Sequence, residues 1–237
     1  MYKLQNVHKS YESVFALHDI SCEIPTDRFV FVMGPSGSGK STLLRLMSFV
    51  EEPDDGLVQL KLGNDVFNST ESERPWPRAT CVFQKQFLWP HLTLRQNIQL
   101  PLNASGQRDA DRKANHVIDL LDMHSFVDRY SNEVSGGQAQ RAAIARALAL
   151  EPELLLVDEA HGGLDLIQQQ ILNTYFLKLR ASGVGLIIVT HSIGFARRFA
   201  DLIIIIEDGR ITELGGSKIL ENPTSQFLQT ALAVKES

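Results

Sequence analysis

The sequence predicts an α/β fold, with a mostly parallel sheet, an antiparallel β portion and a helical insert in the middle of the chain. Three observations carry this. Short, nearly all-apolar runs recur, as strands buried on both faces require. Helix-patterned segments separate the later runs, which implies βαβ units. Between about residues 87 and 150 the β-branched runs disappear and helical spacing replaces them.

The elements follow in chain order. Arg28-Phe29-Val30-Phe31-Val32-Met33 is the first buried run. Leu57-Val58-Gln59-Leu60-Lys61-Leu62 alternates apolar and polar residues instead, as a half-exposed strand does. In the middle stretch Val117, Leu120, Leu121 and His124 fall on one face of a 3.6-residue helix. Buried strands return at 154–157, 185–189 and 202–206, with helices expected at 166–180 and 192–200. Asp208-Gly209, between Ile206 and Ile211, reads as a tight hairpin turn. Residues 1–85 and 151–237 are thus expected to form the core, with the β portion and a short C-terminal tail, and 86–150 the helical insert.

Composition narrows the function classes. The chain has 237 residues, 43% hydrophobic and 22% charged, enough to bury a sizeable core. Lys+Arg 23 against Asp+Glu 28 gives a net charge of −5. That lacks the basic excess of a nucleic-acid binder, and no nucleic-acid partner is expected. The longest aliphatic run, Leu202 to Ile206, is far below the roughly 18 residues of a membrane span. Met1-Tyr2-Lys3-Leu4-Gln5-Asn6 is not followed by an apolar core, so no secretory leader is expected. Cys22 and Cys81 have neither CxxC spacing nor His companions, which suits a reducing cytosol.

One segment carries chemistry on its own. Gly34-Pro35-Ser36-Gly37-Ser38-Gly39-Lys40-Ser41 matches the phosphate-loop pattern G-x-x-x-x-G-K-[ST] at every fixed position, between a buried strand and a helix that opens with Thr42. Glycines let the backbone curl around a polyphosphate and aim N–H groups inward. The helix N-terminus adds partial positive charge. Lys40 brings a full charge to the β- and γ-phosphates, and the Ser41 hydroxyl can ligate Mg²⁺. Such a loop needs a carboxylate on a neighbouring strand, and Leu154-Leu155-Leu156-Val157-Asp158-Glu159 offers two at a strand's carboxyl end. Asp158 is assigned to the metal shell and Glu159 to the attacking water as general base.

A second anion-facing element follows from Val134-Ser135-Gly136-Gly137-Gln138, which precedes an Ala/Leu-rich helix. If one element lies in the core and the other in the insert, both cannot easily serve the same nucleotide. Pairing of two copies resolves this, each covering the nucleotide held by the other.

With these motifs in order, the chain resembles an ATP-binding cassette (ABC) ATPase, the nucleotide-binding subunit of a transporter, over nearly its whole length. The resemblance implies a P-loop (RecA-like) core, an antiparallel β subdomain and an inserted helical signature subdomain. It implies ATP and Mg²⁺ as cofactors, with Gly34 to Thr42 holding the phosphates. The family signature LSGGQ appears with Val134 in place of Leu, so Ser135, Gly136, Gly137 and Gln138 would contact the partner's nucleotide. Tyr11 matches the aromatic that stacks on adenine, and Gln84 matches a glutamine that binds metal or water. His191 matches the histidine that approaches the γ-phosphate, and Asp165 the aspartate near the dimer seam. After Glu159 the family usually reads Pro-Thr-Ser-Ala-Leu-Asp, whereas this chain reads Ala160-His161-Gly162-Gly163-Leu164-Asp165. Two glycines without the proline should loosen that loop and alter the coupling of the two ATP sites.

The resemblance further implies separate membrane permease subunits, a homodimer with ATP, and a place on the cytoplasmic face of the cell membrane. Gln86-Phe87-Leu88-Trp89-Pro90-His91-Leu92-Thr93 is unusually aromatic for a loop. It suits a protein interface or packs inside the insert. The same run is similar to cassettes of polar-amino-acid importers, which work with a solute-binding protein. Cassettes of lipid or lipoprotein exporters and a non-transport, nucleotide-regulated interaction module remain the alternatives.

Overall fold

The computed structural model describes residues 1–159 and 164–233. It divides into two compact units: Met1–Pro75 with Gly185–Ser237, and Trp76–Val184.

In the first unit, β1 (Tyr2–Tyr11), β2 (Val14–Ile24), β4 (Asp55–Leu62) and β5 (Asp65–Asn68) form an antiparallel sheet in the order β2-β1-β4-β5. Side chains of β4 alternate toward and away from the core, as the sequence pattern requires. The same unit holds β3 (Phe29–Met33), whose five residues are all buried. It pairs in parallel with β8 (Gly185–Val189) on one side and β9 (Leu202–Glu207) on the other. Phe31 lies opposite both Ile188 and Ile203, so large apolar side chains meet across the sheet. Burying each such side chain contributes roughly 1.5–3 kcal/mol. Helices α1 (Lys40–Met47), α6 (Ile193–Phe199) and α7 (Gln226–Ala233) complete the unit.

β9 turns into β10 (Arg210–Gly215) through Asp208 and Gly209, with Arg210 opposite Glu207. Their φ values of 48° and 73° are both left-handed, as a type I′ hairpin turn requires.

The second unit contains the parallel pair β6 (Ala79–Val82) and β7 (Leu154–Asp158). Between them in sequence come α2 (Leu94–Ala104), α3 (Ala110–Leu120) and α4 (Gly136–Leu148), and α5 (Leu166–Ala181) follows β7. The expected face of α3 needs correction. Its buried residues are Ala114, Val117 and Ile118, and the helix ends at Leu120. Leu121 is buried just past the end, whereas His124 is exposed and pairs with Asp119 at 2.7 Å. The helical period does not continue through a break in the chain: Asp122 turns left-handed at φ 48°, which re-aims the chain so that Met123 fills the core.

A buried hydrogen bond joins the two architectural parts of the first unit. The Tyr2 hydroxyl donates to the Met47 carbonyl at the end of α1, at 2.6 Å. Tyr2→Phe is expected to lower unfolding free energy by about 1–2 kcal/mol, because a buried carbonyl loses its partner. Urea denaturation checks this, and an unchanged midpoint would contradict it.

Candidate functional site

The loop after β3 is shaped by three left-handed glycines: Gly34 at φ 149°, Gly37 at 79° and Gly39 at 102°. At Gly34 an added Cβ would lie 2.0 Å from the Ile206 carbonyl oxygen, and at Gly39 it would lie 2.3 Å from that of Ala16. Gly37, at the exposed tip with Pro35 and Ser36, faces open space. The Ser38 N–H and the Lys40 ammonium both donate to the Pro35 carbonyl, at 3.3 and 2.6 Å, so the loop closes around that oxygen.

Helix α1 begins directly after this loop. Its N-cap, Gly39, supplies no side-chain cap, and the first turn holds no acidic residue. The N-termini of α2, α4, α5 and α6 are instead capped by Thr93, Ser135, Asp165 and Ser192. The first N–H groups of α1 therefore lack the side-chain acceptor that those four helices carry. Lys40 and Thr42 are buried beside them and Ser41 is half-buried. The Ser38 hydroxyl is buried with no hydrogen-bond partner among the described residues. Backbone donors, a buried ammonium and an orphan hydroxyl together make an anion receptor.

His191, exposed just after β8, lies in the same unit. It shares with Pro35 the wall of a cavity of about 600 Å³ that Ile193, Asp208 and Phe227 also line. Tyr11 ends β1 and is 40% exposed. Its hydroxyl bonds Glu51 and accepts from the Arg45 guanidinium at 3.1 Å. Burial and the Glu51 carboxylate push the Tyr11 phenol above its ordinary pKa, against the opposing Arg45.

The remaining candidates lie in the second unit. Asp158 closes β7 and is buried. Glu159 follows at φ 53°, a left-handed conformation that a non-glycine residue rarely adopts. The Gln84 side-chain amide donates to the Glu159 carboxylate at 3.0 Å, which joins these two candidates directly. Ser135 caps α4 in a reciprocal box with Gln138: the Gln138 N–H donates to the Ser135 hydroxyl at 3.3 Å, and the Ser135 N–H to the Gln138 side chain at 2.9 Å. Gly136 opens the helix, with nothing within 4 Å of where a Cβ would stand. Asp165 caps α5 by accepting from the Gln168 N–H at 2.8 Å. Residues 160–163, where the sequence departs from the family pattern, lie outside the described residues.

Some supporting residues escaped the sequence reading. Arg146, on α4, donates from its two terminal nitrogens to the Phe87 and Gln86 carbonyls at 2.8 Å each, and so fixes the segment after Gln84. Burial pushes its guanidinium pKa below the ordinary value. Gln86 also donates to the Gln140 side chain at 3.0 Å. Buried Asn97 accepts from the Trp89 N–H at 2.8 Å and donates to the Trp89 carbonyl at 3.1 Å. With the backbone held in this way, Phe87 and Trp89 stay 59% and 50% exposed, which favours the interface reading of this run over internal packing. An arginine inside an Ala-rich helix was the available signal for Arg146.

Comparison with known proteins points one way. The family model described as ABC transporter matches residues 17–162. The glutamine transport ATP-binding protein GlnQ of Escherichia coli is 38% identical over 237 residues, covering 98% of each chain. The sulfate/thiosulfate import ATP-binding protein CysA of Synechocystis sp. is 37% identical over 229 residues, covering 95% of this chain and 63% of the longer relative. Among solved structures, the dimeric post-hydrolysis state of the ATP-binding cassette MJ0796, bound to ADP and Pi, superposes with a TM-score of 0.84 at 31% identity, covering 92% of this chain and 99% of that one.

The glycine geometry sets apart two substitutions of the same kind. Gly34→Ala should cost more than about 3 kcal/mol of stability, since it adds a backbone clash to an unfavourable φ. Gly37→Ala should cost only about 1–2 kcal/mol, the left-handed penalty alone. Chemical denaturation of the two variants checks this, and equal losses would contradict the clash at Gly34.

Proposed function

The chain belongs to the ABC transporter ATP-binding family, and from that premise we propose that it powers import of polar amino acids through separate permease subunits. ATP hydrolysis comes with the family. The observation that carries the nucleotide site is the N-terminus of α1, which has no side-chain cap and sits behind a glycine loop with a buried lysine and an orphan hydroxyl. A triphosphate supplies the acceptors that this protein segment does not.

The residue roles follow from the chemistry of each group. Gly34, Pro35, Ser36, Gly37, Ser38, Gly39, Lys40, Ser41 and Thr42 hold the phosphates, and Tyr11 stacks on the adenine. The Ser41 hydroxyl, Gln84 amide oxygen and Asp158 carboxylate are hard oxygen donors of the kind Mg²⁺ takes. An Mg²⁺ ion held by these oxygens would supply charge neutralisation at the phosphates. Glu159 accepts the proton of the attacking water, and the Gln84 amide bonded to it holds the carboxylate in place. His191 approaches the γ-phosphate.

The helical segment 86–150 acts as the signature subdomain, with residues 1–85 and 151–237 as the core. Ser135, Gly136, Gly137 and Gln138 close over the nucleotide of a second copy. Asp165 lies at the seam. Exposed Phe87 and Trp89 suit a permease contact, and the cytoplasmic face of the cell membrane is the location that belongs to this reading.

The amino-acid reading rests on the likeness to GlnQ and on the aromatic run. The likeness to CysA favours sulfate as the second solute. Uptake of labelled glutamine, arginine and sulfate by vesicles carrying the chain with its permease separates the two.

Glu159→Gln is expected to lower phosphate release by about 10²–10⁴-fold while ATP still binds. With Mg-ATP this variant should double its mass in light scattering. Equal turnover in both proteins would instead mark a nucleotide-regulated binding module.

A further inference from the structure

We propose that Arg45 and Glu51 are positioning residues for nucleotide binding, clamping the Tyr11 ring at a fixed place relative to the phosphate loop. This rests on the reading of Tyr11 as the adenine platform. A stacking ring contributes only when its plane is held where the base arrives, and otherwise part of the stacking energy is lost to ordering the side chain. Tyr11 stands at an exposed strand end, and Glu12 turns left-handed next to it at φ 55°. Packing alone does not hold such a ring.

Polar and charged neighbours do hold it. The phenol bonds the Glu51 carboxylate, and the Arg45 Nη1 donates to the same hydroxyl at 3.1 Å. Arg45 and Glu51 also face each other at 3.6 Å. Lys9, whose ammonium is fixed by Asp54 at 2.8 Å and the Glu52 carbonyl at 2.9 Å, lies 5.7 Å from the ring centroid. The clamp is also tied to the phosphate loop. Arg45 lies on α1 five residues after Lys40, a rise of about 7–8 Å along a rigid helix. The Val50 and Glu51 N–H groups donate back to the Arg45 carbonyl at 3.2 and 3.4 Å, so Glu51 is bonded to the end of the same helix. Helix α1 thus acts as a ruler, with phosphate donors at one end and the anchor of the base platform further along.

Equilibrium binding of Mg-ATP and of Mg-tripolyphosphate, which has no base, to the full chain tests this. Tyr11→Phe keeps the ring and removes the hydroxyl. It and Glu51→Ala should each weaken ATP about three- to ten-fold, the scale of one hydrogen bond, and leave tripolyphosphate unchanged. The double variant should be no weaker than the worse single one, and Glu51→Gln, which keeps an acceptor, should recover part of the loss. If both single variants bind ATP like the wild type while Tyr11→Ala is weakened, the clamp is overturned and the platform reading stands. If Tyr11→Ala also binds like the wild type, the platform reading fails and the clamp with it. Equal weakening of ATP and tripolyphosphate would show general damage to the site and overturn the positioning role.

Discussion

The structure depends on one arrangement: a helix N-terminus whose donors receive no side-chain cap. Four other helices satisfy theirs with Thr93, Ser135, Asp165 and Ser192, and α3, also without a side-chain cap, carries Asp111 in its first turn where α1 has no acid. α1 is preceded instead by Gly39, in a conformation that delivers backbone N–H groups and no acceptor. Placing an acid there would help the isolated protein and block a phosphate. The glycines at 34 and 39 have a second role, because the backbones of Ile206 and Ala16 press against them. The loop is therefore held from outside while its inner side stays lined with donors.

The second unit shows the opposite strategy. Its candidate groups are satisfied within the protein and positioned by it. Ser135 and Gln138 cap each other, Asp165 caps α5, and Gln84 bonds Glu159. Arg146 contributes most to this order: one half-buried guanidinium holds two successive carbonyls after Gln84. Partial desolvation of a charge is costly unless such bonds compensate it, so its presence in an Ala-rich helix marks a place where backbone position matters. The proposed function accounts for both strategies in one chain, since on that reading the chain grips its own nucleotide and presents a preformed face to that of a second copy.

Much of this was legible in the sequence because the signals are local. The buried runs at β3, β7, β8 and β9 need no distant information, and neither does the Asp208-Gly209 turn, whose two left-handed residues select themselves. The phosphate loop is legible for the same reason. The face of α3 was misread because periodicity carries no notice of where a helix stops, and Asp122 breaks the phase. The supports of the site were invisible for a different reason. Arg146 reaches back about 60 residues to the segment it holds, Gln84 meets Glu159 across 75, and Glu51 meets Tyr11 across 40. Such pairs join residues that no local pattern links.

The most direct measurement is equilibrium binding of Mg-ATP to the intact chain and to Lys40→Ala, with folding of both checked by circular dichroism. A buried ammonium beside donors without a side-chain cap should be worth roughly a hundred-fold in affinity for a polyphosphate. A loss of that size in a folded variant supports the anion receptor at α1. Unchanged affinity, or no ATP binding by the intact chain in the presence of magnesium, would contradict it.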